Sequence, residues 1–386
     1  MVLFLHNRYR TTGGEERVVE DLLVLVREQL GEDAELLARD SAGMPPGRAA
    51  LGLLRGGLAA DEVGAAVRRT GARIVHAHNL LPGLGWRALA AARAAGARVV
   101  LHLHQYRLVC AVGVCFTDGA DCTRCHSRNT LPGVLHNCRG SRAKALAYAA
   151  SLALWQRRMA ALADVLVVPS AFAEERLRAL GAPLPAGGVR VLAPPVAAAP
   201  APSGAQAQGS EPAQERPYAL VASRLSPEKG VDVAIEACRR AGLSLVVAGD
   251  GPEMGRLRAL ASPGEVRFEG QVARARLAEL RAGASIALVP SRSAETFGIA
   301  AAEAMASGLP VAASRTGALP ELLEADSLVP PGDPAALAAA IERLAGDRAQ
   351  GERGRSRVAE LCSPERVARR LAGVYEQAAA AGGDPA

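Results

Sequence analysis

The sequence predicts an α/β chain built from two doubly wound, Rossmann-like domains facing across a cleft. Three observations carry this prediction. Short apolar runs recur along the chain, each followed by a Gly- or Pro-bearing loop and a helical stretch, the rhythm of parallel sheets. That rhythm stops over residues 194–217, where Ala, Pro, Gly, Ser and Gln dominate, and then starts afresh. Such a composition cannot pack a core and reads as a linker. Finally, 386 residues are more than one core usually serves. Ligands are expected between the halves, since clefts between domains are where substrates bind.

Composition narrows the function classes. The chain is 49% hydrophobic but only 3% aromatic, so its cores are aliphatic. A net charge of +6 and a pI near 9.1 give a weak basic bias. That bias suits anionic ligands such as nucleotide diphosphates, or an anionic membrane surface. Nucleic acid is excluded as a partner, because the cations are scattered and stacking aromatics are few. Met1–His6 is too short for a signal h-region. No run of about 18 uncharged apolar residues appears outside the Pro-broken linker. The expectation is a cytoplasmic protein, with the inner membrane surface left open.

The first half opens on a buried strand, Val2–Leu5. A loop, Thr11-Thr-Gly-Gly14, leads into a helix with Val18, Val19, Leu22, Leu23, Val26 and Leu30 at helical spacing. Glu15 and Glu16 stand in its first turn, where acids favour a helix start. Gly13 and Gly14 let the backbone approach a phosphate, or form a plain turn. Arg73–His78 is a second strand and Trp86–Ala95 a helix. Arg98–His104 is a strand ending in His102, His104, Gln105, Tyr106 and Arg107. His104 there either meets a ligand or caps the strand.

Five of the seven cysteines fall between residues 110 and 138. Cys122-Thr-Arg-Cys125 is a knuckle, with Cys110 and Cys138 flanking it. Tetrahedral thiolate sites use this spacing, and a loop-rich insertion with little core needs a staple. A structural zinc on Cys110, Cys122, Cys125 and Cys138, leaving Cys115 spare, is one reading; reduced thiols or a redox pair are the others. Arg139–Arg158 encloses an apolar helix. It reads as a core helix, with a flat peripheral contact on anionic lipid as the alternative.

The second half begins with a strand at Tyr218–Ala222 and the loop Ser223-Arg-Leu-Ser-Pro-Glu-Lys-Gly230. Arg224 and Lys229, ahead of a helix amino terminus, can clamp a diphosphate. Leu243–Ala248 runs into the turn Gly249-Asp-Gly-Pro-Glu253, and Val266–Val272 is a strand and loop. Ile286–Val289 is a strand, then Glu295-Thr-Phe-Gly-Ile-Ala-Ala-Ala-Glu303 puts one glutamate in a loop and the next inside a helix. Carboxylates at strand carboxyl ends suit a ligand rich in hydroxyls. The helix start beside Gly298 offers N–H groups to a phosphate. Helices from Asp333-Pro334 and Ser363-Pro364 complete the chain.

These motifs, together with Thr316-Gly-Ala-Leu-Pro-Glu321, occur in the order and spacing of glycosyltransferase family 4, and the sequence resembles that family over nearly its whole length. The first half resembles a subgroup with Gly-Gly near the start, a His-x-Tyr-Arg loop and a cysteine insertion. The resemblance implies the GT-B fold and transfer from a nucleoside diphosphate sugar, UDP- or GDP-type, to a hydroxyl acceptor, with retained anomeric configuration. It implies catalytic roles for His104, Arg224, Lys229 and Glu295. Arg224 and Lys229 would hold the donor diphosphate, Glu295, Phe297 and Gly298 the sugar, and Glu303 the ribose. Gly13, Gly14 and Gly249 would lie near the donor, and the backbone at Val272 would meet the base. No cofactor would be required for chemistry, and any zinc would be structural. The final helix would cross back to the first domain. Ser223 and Ala318 replace usual glycines, and His102 a usual small residue. The rivals are a nucleotide-sugar 2-epimerase of the same architecture and an inactive glycosyltransferase-like partner subunit.

Overall fold

The computed structural model describes residues 1–9, 13–197, 217–262 and 264–381. Thr11 and Thr12 of the predicted glycine loop, and residues 198–216 of the predicted linker, lie outside the described residues. The chain forms two compact units. Met1–Thr117, Cys122–Pro195 and the stretch from Pro364 make unit 1; Val196–Ser363, with Asp118–Asp121, makes unit 2.

Unit 1 is built on β1 (Val2–Arg8), β2 (Ala34–Asp40), β3 (Ile74–Ala77) and β4 (Arg98–His102). A short hairpin follows, β5 (Phe116–Thr117) with β6 (Ala120–Asp121), then β7 (Val165–Val168) and β8 (Val189–Val191). The main sheet runs β2-β1-β3-β4-β7-β8, all parallel. β3 and β7 are buried at every position, because helices cover both faces of a parallel sheet. β2 was not expected: Glu35, Arg39 and Asp40 break its apolar pattern. It forms because edge strands need only half burial, and β1 supplies its full register.

The helices of unit 1 are α1 (Gly14–Gln29), α2 (Pro46–Arg55), α3 (Ala60–Thr70), α4 (Gly85–Ala94), α5 (Leu131–Leu135), α6 (Arg142–Ala161) and α7 (Ala171–Ala179). α1 buries Val18, Val19, Leu22 and Val26 as its spacing predicts; Leu25 joins them, while Leu23 is half-buried. α6 buries Ala145, Ala149, Leu152 and Met159, and leaves Leu146 and Leu154 exposed.

Unit 2 holds β9 (Tyr218–Ala222), β10 (Ser244–Ala248), β11 (Val266–Gly270), β12 (Ile286–Val289), β13 (Val311–Ser314) and β14 (Leu328–Val329). Its order is β11-β10-β9-β12-β13-β14, all parallel. The chain winds outward from β9 in one direction, then returns to continue from β12 in the other. The helices are α8 (Val231–Ala241), α9 (Met254–Leu260), α10 (Arg274–Gly283), α11 (Ile299–Ala306), α12 (Leu319–Leu322), α13 (Pro334–Leu344) and α14 (Arg348–Cys362). α13 starts at Asp333, whose carboxylate accepts the N–H groups of Ala335 and Ala336 at 3.0 Å each. The last helix, α15 (Pro364–Ala380), belongs to unit 1. It buries Val367, Leu371, Val374 and Tyr375, and the Tyr375 hydroxyl lies 2.9 Å from His76 Nδ1.

Candidate active site

In unit 2 the strand order reverses between β9 and β12, the kind of switch point at which open α/β sheets bind ligands, and a loop leaves each of these two strands. The first loop ends in a 3-10 turn, Pro227–Lys229, before α8; the second carries Ser291 to Gly298 before α11. The Arg292 N–H donates to the Glu228 carbonyl at 2.8 Å, tying the loops together. Across this seam Lys229 Nζ lies 2.6 Å from Glu295 Oε1, and the Ser291 hydroxyl donates to the same oxygen at 2.6 Å. Burial works to raise the Glu295 pKa, but the Lys229 ammonium and the Ser291 hydroxyl outweigh it and hold the carboxyl below its ordinary value. Glu295 is therefore an ionised acceptor beside an ammonium, and its second oxygen takes neither of these bonds.

Arg224 is half-exposed and does not touch that pair. Its Nη2 donates to Glu228 Oε1 at 2.7 Å, and its Nε to Ser226 Oγ at 3.3 Å. Burial works to raise the Glu228 pKa; Ser226 and Arg224 outweigh it, and the carboxyl is lowered. Glu228 thus fixes the guanidinium in place. Sequence reasoning passed over it, although its position four residues after Arg224 is a signal for a local pair. Glu303, on α11, pairs with Arg281 of α10, a partner 22 positions upstream that no motif announced. Phe297 is buried. Gly298 has φ +100, and a Cβ there would lie 2.6 Å from Leu319 Cδ2, so glycine is required. Gly317 has φ +61, and a Cβ would lie 2.2 Å from the Glu295 nitrogen. The Ala318 N–H donates to the Glu295 carbonyl at 2.8 Å, a bond that needs no glycine at that position. Gly249 follows β10, its N–H bonded to the Gly270 carbonyl at 2.7 Å, and Val272 is half-buried beyond β11.

Unit 1 gathers a second polar set at the carboxyl ends of β1, β3 and β4. His76 with His78, and His102 with His104, alternate along their strands, so each pair shares a sheet face. His78 Nδ1 lies 2.8 Å from His104 Nε2, and His102 Nδ1 lies 3.3 Å from His76 Nε2. The His102 and His104 rings stack at 4.2 Å. Burial pushes all four imidazoles down, His76 to about 3, so the cluster is neutral at pH 7. Of these, His104 was predicted as a site residue; His76 and His78 were missed, although the repeated His-x-His spacing was readable.

The acids that open α1 stand in its first turn as expected, with Glu16 closing a capping box on Gly13, and both are in addition buried acceptors. Glu15 Oε2 accepts from the Tyr9 hydroxyl at 2.7 Å and from Gln105 Nε2 at 3.2 Å. Glu16 accepts the Tyr9 N–H at 3.0 Å and the Gly13 N–H at 2.9 Å. The Gly13 N–H therefore already faces a carboxylate, and Gly13 is extended rather than left-handed. Gly14 is the first residue of α1.

The seven cysteines are free thiols. Cys110, Cys115, Cys122, Cys125 and Cys138 line one pocket together with His136.

Fold and site define a protein of two doubly wound units, the second carrying a cation–carboxylate pair at its topological switch point. The chain belongs to glycosyltransferase family 4. Residues 13–195 match the family model for the glycosyl transferase 4-like domain, and residues 216–347 that for glycosyl transferases group 1. It is similar to the MMP alpha-(1->4)-mannosyltransferase of Mycolicibacterium hassiacum, 44% identical over 112 residues, 27% of each chain. A GDP-mannose-dependent alpha-(1-6)-phosphatidylinositol dimannoside mannosyltransferase of Mycobacterium tuberculosis is 44% identical over 110 residues, 27% of this chain and 29% of that one. The matches thus span less than a third of either relative's length. Sucrose-phosphate synthase from Thermosynechococcus elongatus shares the GT-B fold at a TM-score of 0.72, with 20% identity over 99% of this chain and 100% of that one.

Proposed function

We propose that the chain transfers a hexose from a nucleoside diphosphate sugar to a hydroxyl acceptor, with retained anomeric configuration. The observation that supports this most is the Lys229–Glu295 pair at 2.6 Å on the switch-point seam. The carboxylate fixes the ammonium in place. The ammonium can then meet the negative charge that grows on the diphosphate as the bond to the sugar breaks. Arg224, fixed by Glu228, offers a planar fork to a second phosphate oxygen. The remaining oxygen of Glu295 accepts sugar hydroxyls, and Glu303 accepts those of the ribose. His104, neutral, donates or accepts a hydrogen bond at the reacting sugar without adding charge. Side-chain cations at the leaving group make an added divalent ion unnecessary for the chemistry.

Both relatives described are named mannosyltransferases, one of them GDP-mannose-dependent, so GDP-mannose leads the donor panel, with UDP-glucose beside it. The purified chain is incubated with each donor and a set of hydroxyl acceptors. Nucleoside diphosphate release is followed, and the anomeric configuration of the product is read by proton NMR. One donor is expected to turn over, with or without magnesium, and an α-linked donor to give an α-linked product. Inverted product would overturn the retaining chemistry; the absence of both transfer and hydrolysis with every donor would favour the inactive-subunit reading.

We also propose that unit 1 rests on an anionic membrane. Among the described residues no helix is long and apolar enough to cross one. α2 and α5 both pack on α6, and these three helices expose Leu51, Leu54, Leu131, Leu135, Leu146 and Leu154. They also expose Arg48, Arg55, Arg142, Lys144 and Arg157, and carry no acid at all. Apolar side chains among cations and no anions suit an acidic lipid surface. The chain should float with phosphatidylglycerol vesicles and not with phosphatidylcholine alone, and Leu135→Glu with Leu146→Glu should abolish flotation. No flotation with either lipid would remove the proposal.

A further inference from the structure

We propose that Cys110, Cys122, Cys125 and Cys138 bind one structural zinc ion. The four cysteines come from three separate parts of the segment, yet line one pocket. The turn that brings them together is visible: the Cys122 N–H donates to the Cys115 carbonyl at 2.8 Å, closing the β5–β6 hairpin in front of the Cys122-x-x-Cys125 knuckle. That spacing lets two thiolates converge on a single ion. The other two candidates around the pocket are set apart by their surroundings. Cys115 is 3% exposed and packs in the main apolar core of unit 1, where its side chain hydrogen-bonds that of Cys110. His136 is exposed at the rim.

Two N–H groups already face the sulfurs: the Gly113 N–H donates to Cys110 Sγ at 3.4 Å and Arg124 Nη1 to Cys122 Sγ at 3.9 Å. Donors of this kind orient metal-bound sulfur and stabilise its charge. Cys138 Sγ donates to Thr117 Oγ1 at 3.7 Å and Cys125 Sγ to the Thr130 carbonyl at 4.0 Å, and both thiols give up these protons on binding the ion. The segment also needs holding. β6 is exposed, β5 half-buried, and α5 runs only five residues with Leu131 and Leu135 exposed. All the non-glycine residues with positive φ among those described fall here: Cys115, Asp118, Ser127 and Asn137, at +49, +53, +48 and +47. A left-handed backbone is unfavourable for an L-residue. A small insertion with strained turns and little core is where a metal contributes folding energy outright. On binding, each thiol gives its proton to solvent, and four thiolates surround the divalent ion. Soft sulfur donors in tetrahedral array favour zinc over harder cations.

The test uses the full chain purified without chelator. Elemental analysis is expected to find about one zinc per chain, as a single tetrahedral site requires. Cys125→Ser should lose the metal, while Cys238→Ser, buried in unit 2, should keep it. Should Cys125→Ser fail to fold, the wild-type chain decides. Cobalt exchanged into it should show the visible bands of tetrahedral thiolate coordination. A chelator should release zinc to a chromogenic indicator, expose the four ligand thiols to a thiol reagent and lower Tm. Zinc well below one per chain with every thiol reduced would overturn the proposal in favour of plain thiols. A disulfide among these cysteines, mapped by mass spectrometry in the native protein, would overturn it in favour of a redox pair.

Discussion

Lys229→Ala and Glu295→Ala each lower sugar transfer by roughly 100- to 1000-fold, about 3–4 kcal/mol of lost transition-state stabilisation. The two losses should differ in form. Without Lys229 the leaving diphosphate loses its fixed cation, so kcat falls. Glu295, left with the Ser291 hydroxyl as its one partner of the two, loses the attraction that opposes burial, and its pKa rises. Without Glu295 the ammonium remains but is neither fixed nor balanced. Donor diphosphate binding then holds or tightens while the sugar is mispositioned, so kcat falls without a matching rise in KM. Because the two side chains touch at 2.6 Å, the double variant should lose much less than the sum of the singles. Circular dichroism should show both variants folded. Near-normal turnover in either would show that the pair is an ordinary ion pair.

Unit 1 should lose stability steeply as the pH falls below about 6.5. His76, His78, His102 and His104 are held neutral by burial. In the unfolded chain a histidine titrates near 6.5. Below that pH the unfolded chain takes protons that the folded one refuses. The stability from keeping these rings neutral is therefore full above about 6.5 and drains away toward the folded values, near 3 for His76. Each ring contributes a slope of about 1.4 kcal/mol per pH unit in that window. Neighbouring rings repel one another once charged, which steepens the loss. The chain's two tryptophans, Trp86 and Trp155, both lie in unit 1, their rings 5.6 Å apart. Tryptophan emission therefore reports unit 1 alone. Its urea midpoint should fall markedly between pH 7.5 and 5.5. A midpoint unchanged over that range would mean that the imidazoles are solvated.

Much of the fold was legible because its central strands are buried on both faces and so read as unbroken apolar runs, such as Val2–Leu5 and Val165–Val168. β2 was not, because an edge strand carries charge where a central one cannot. In the site, Lys229 and Glu295 could be read from their own loops, since each stands at the carboxyl end of a recognisable strand. Their contact could not, because the two residues stand 66 positions apart and meet only when β9 and β12 lie side by side. Glu15 is the clearest case of hidden information: its hydrogen-bond partner Gln105 stands 90 residues away, and no local pattern encodes that. Arg281 behind Glu303 is invisible for the same reason. Glu228, four residues from Arg224, was readable and was passed over.

The membership of α15 bears on how the chain is made. Unit 2 is nearly contiguous, apart from Asp118–Asp121, whereas unit 1 takes its last helix from beyond Ser363. On a ribosome, the sheet of unit 1 emerges first yet must wait for Tyr375 to reach His76. Until then the apolar surface that Val367, Leu371 and Val374 cover stays open. The order of completion is therefore the reverse of the order of synthesis: the later unit can settle first, and the earlier one closes only once α15 has been made.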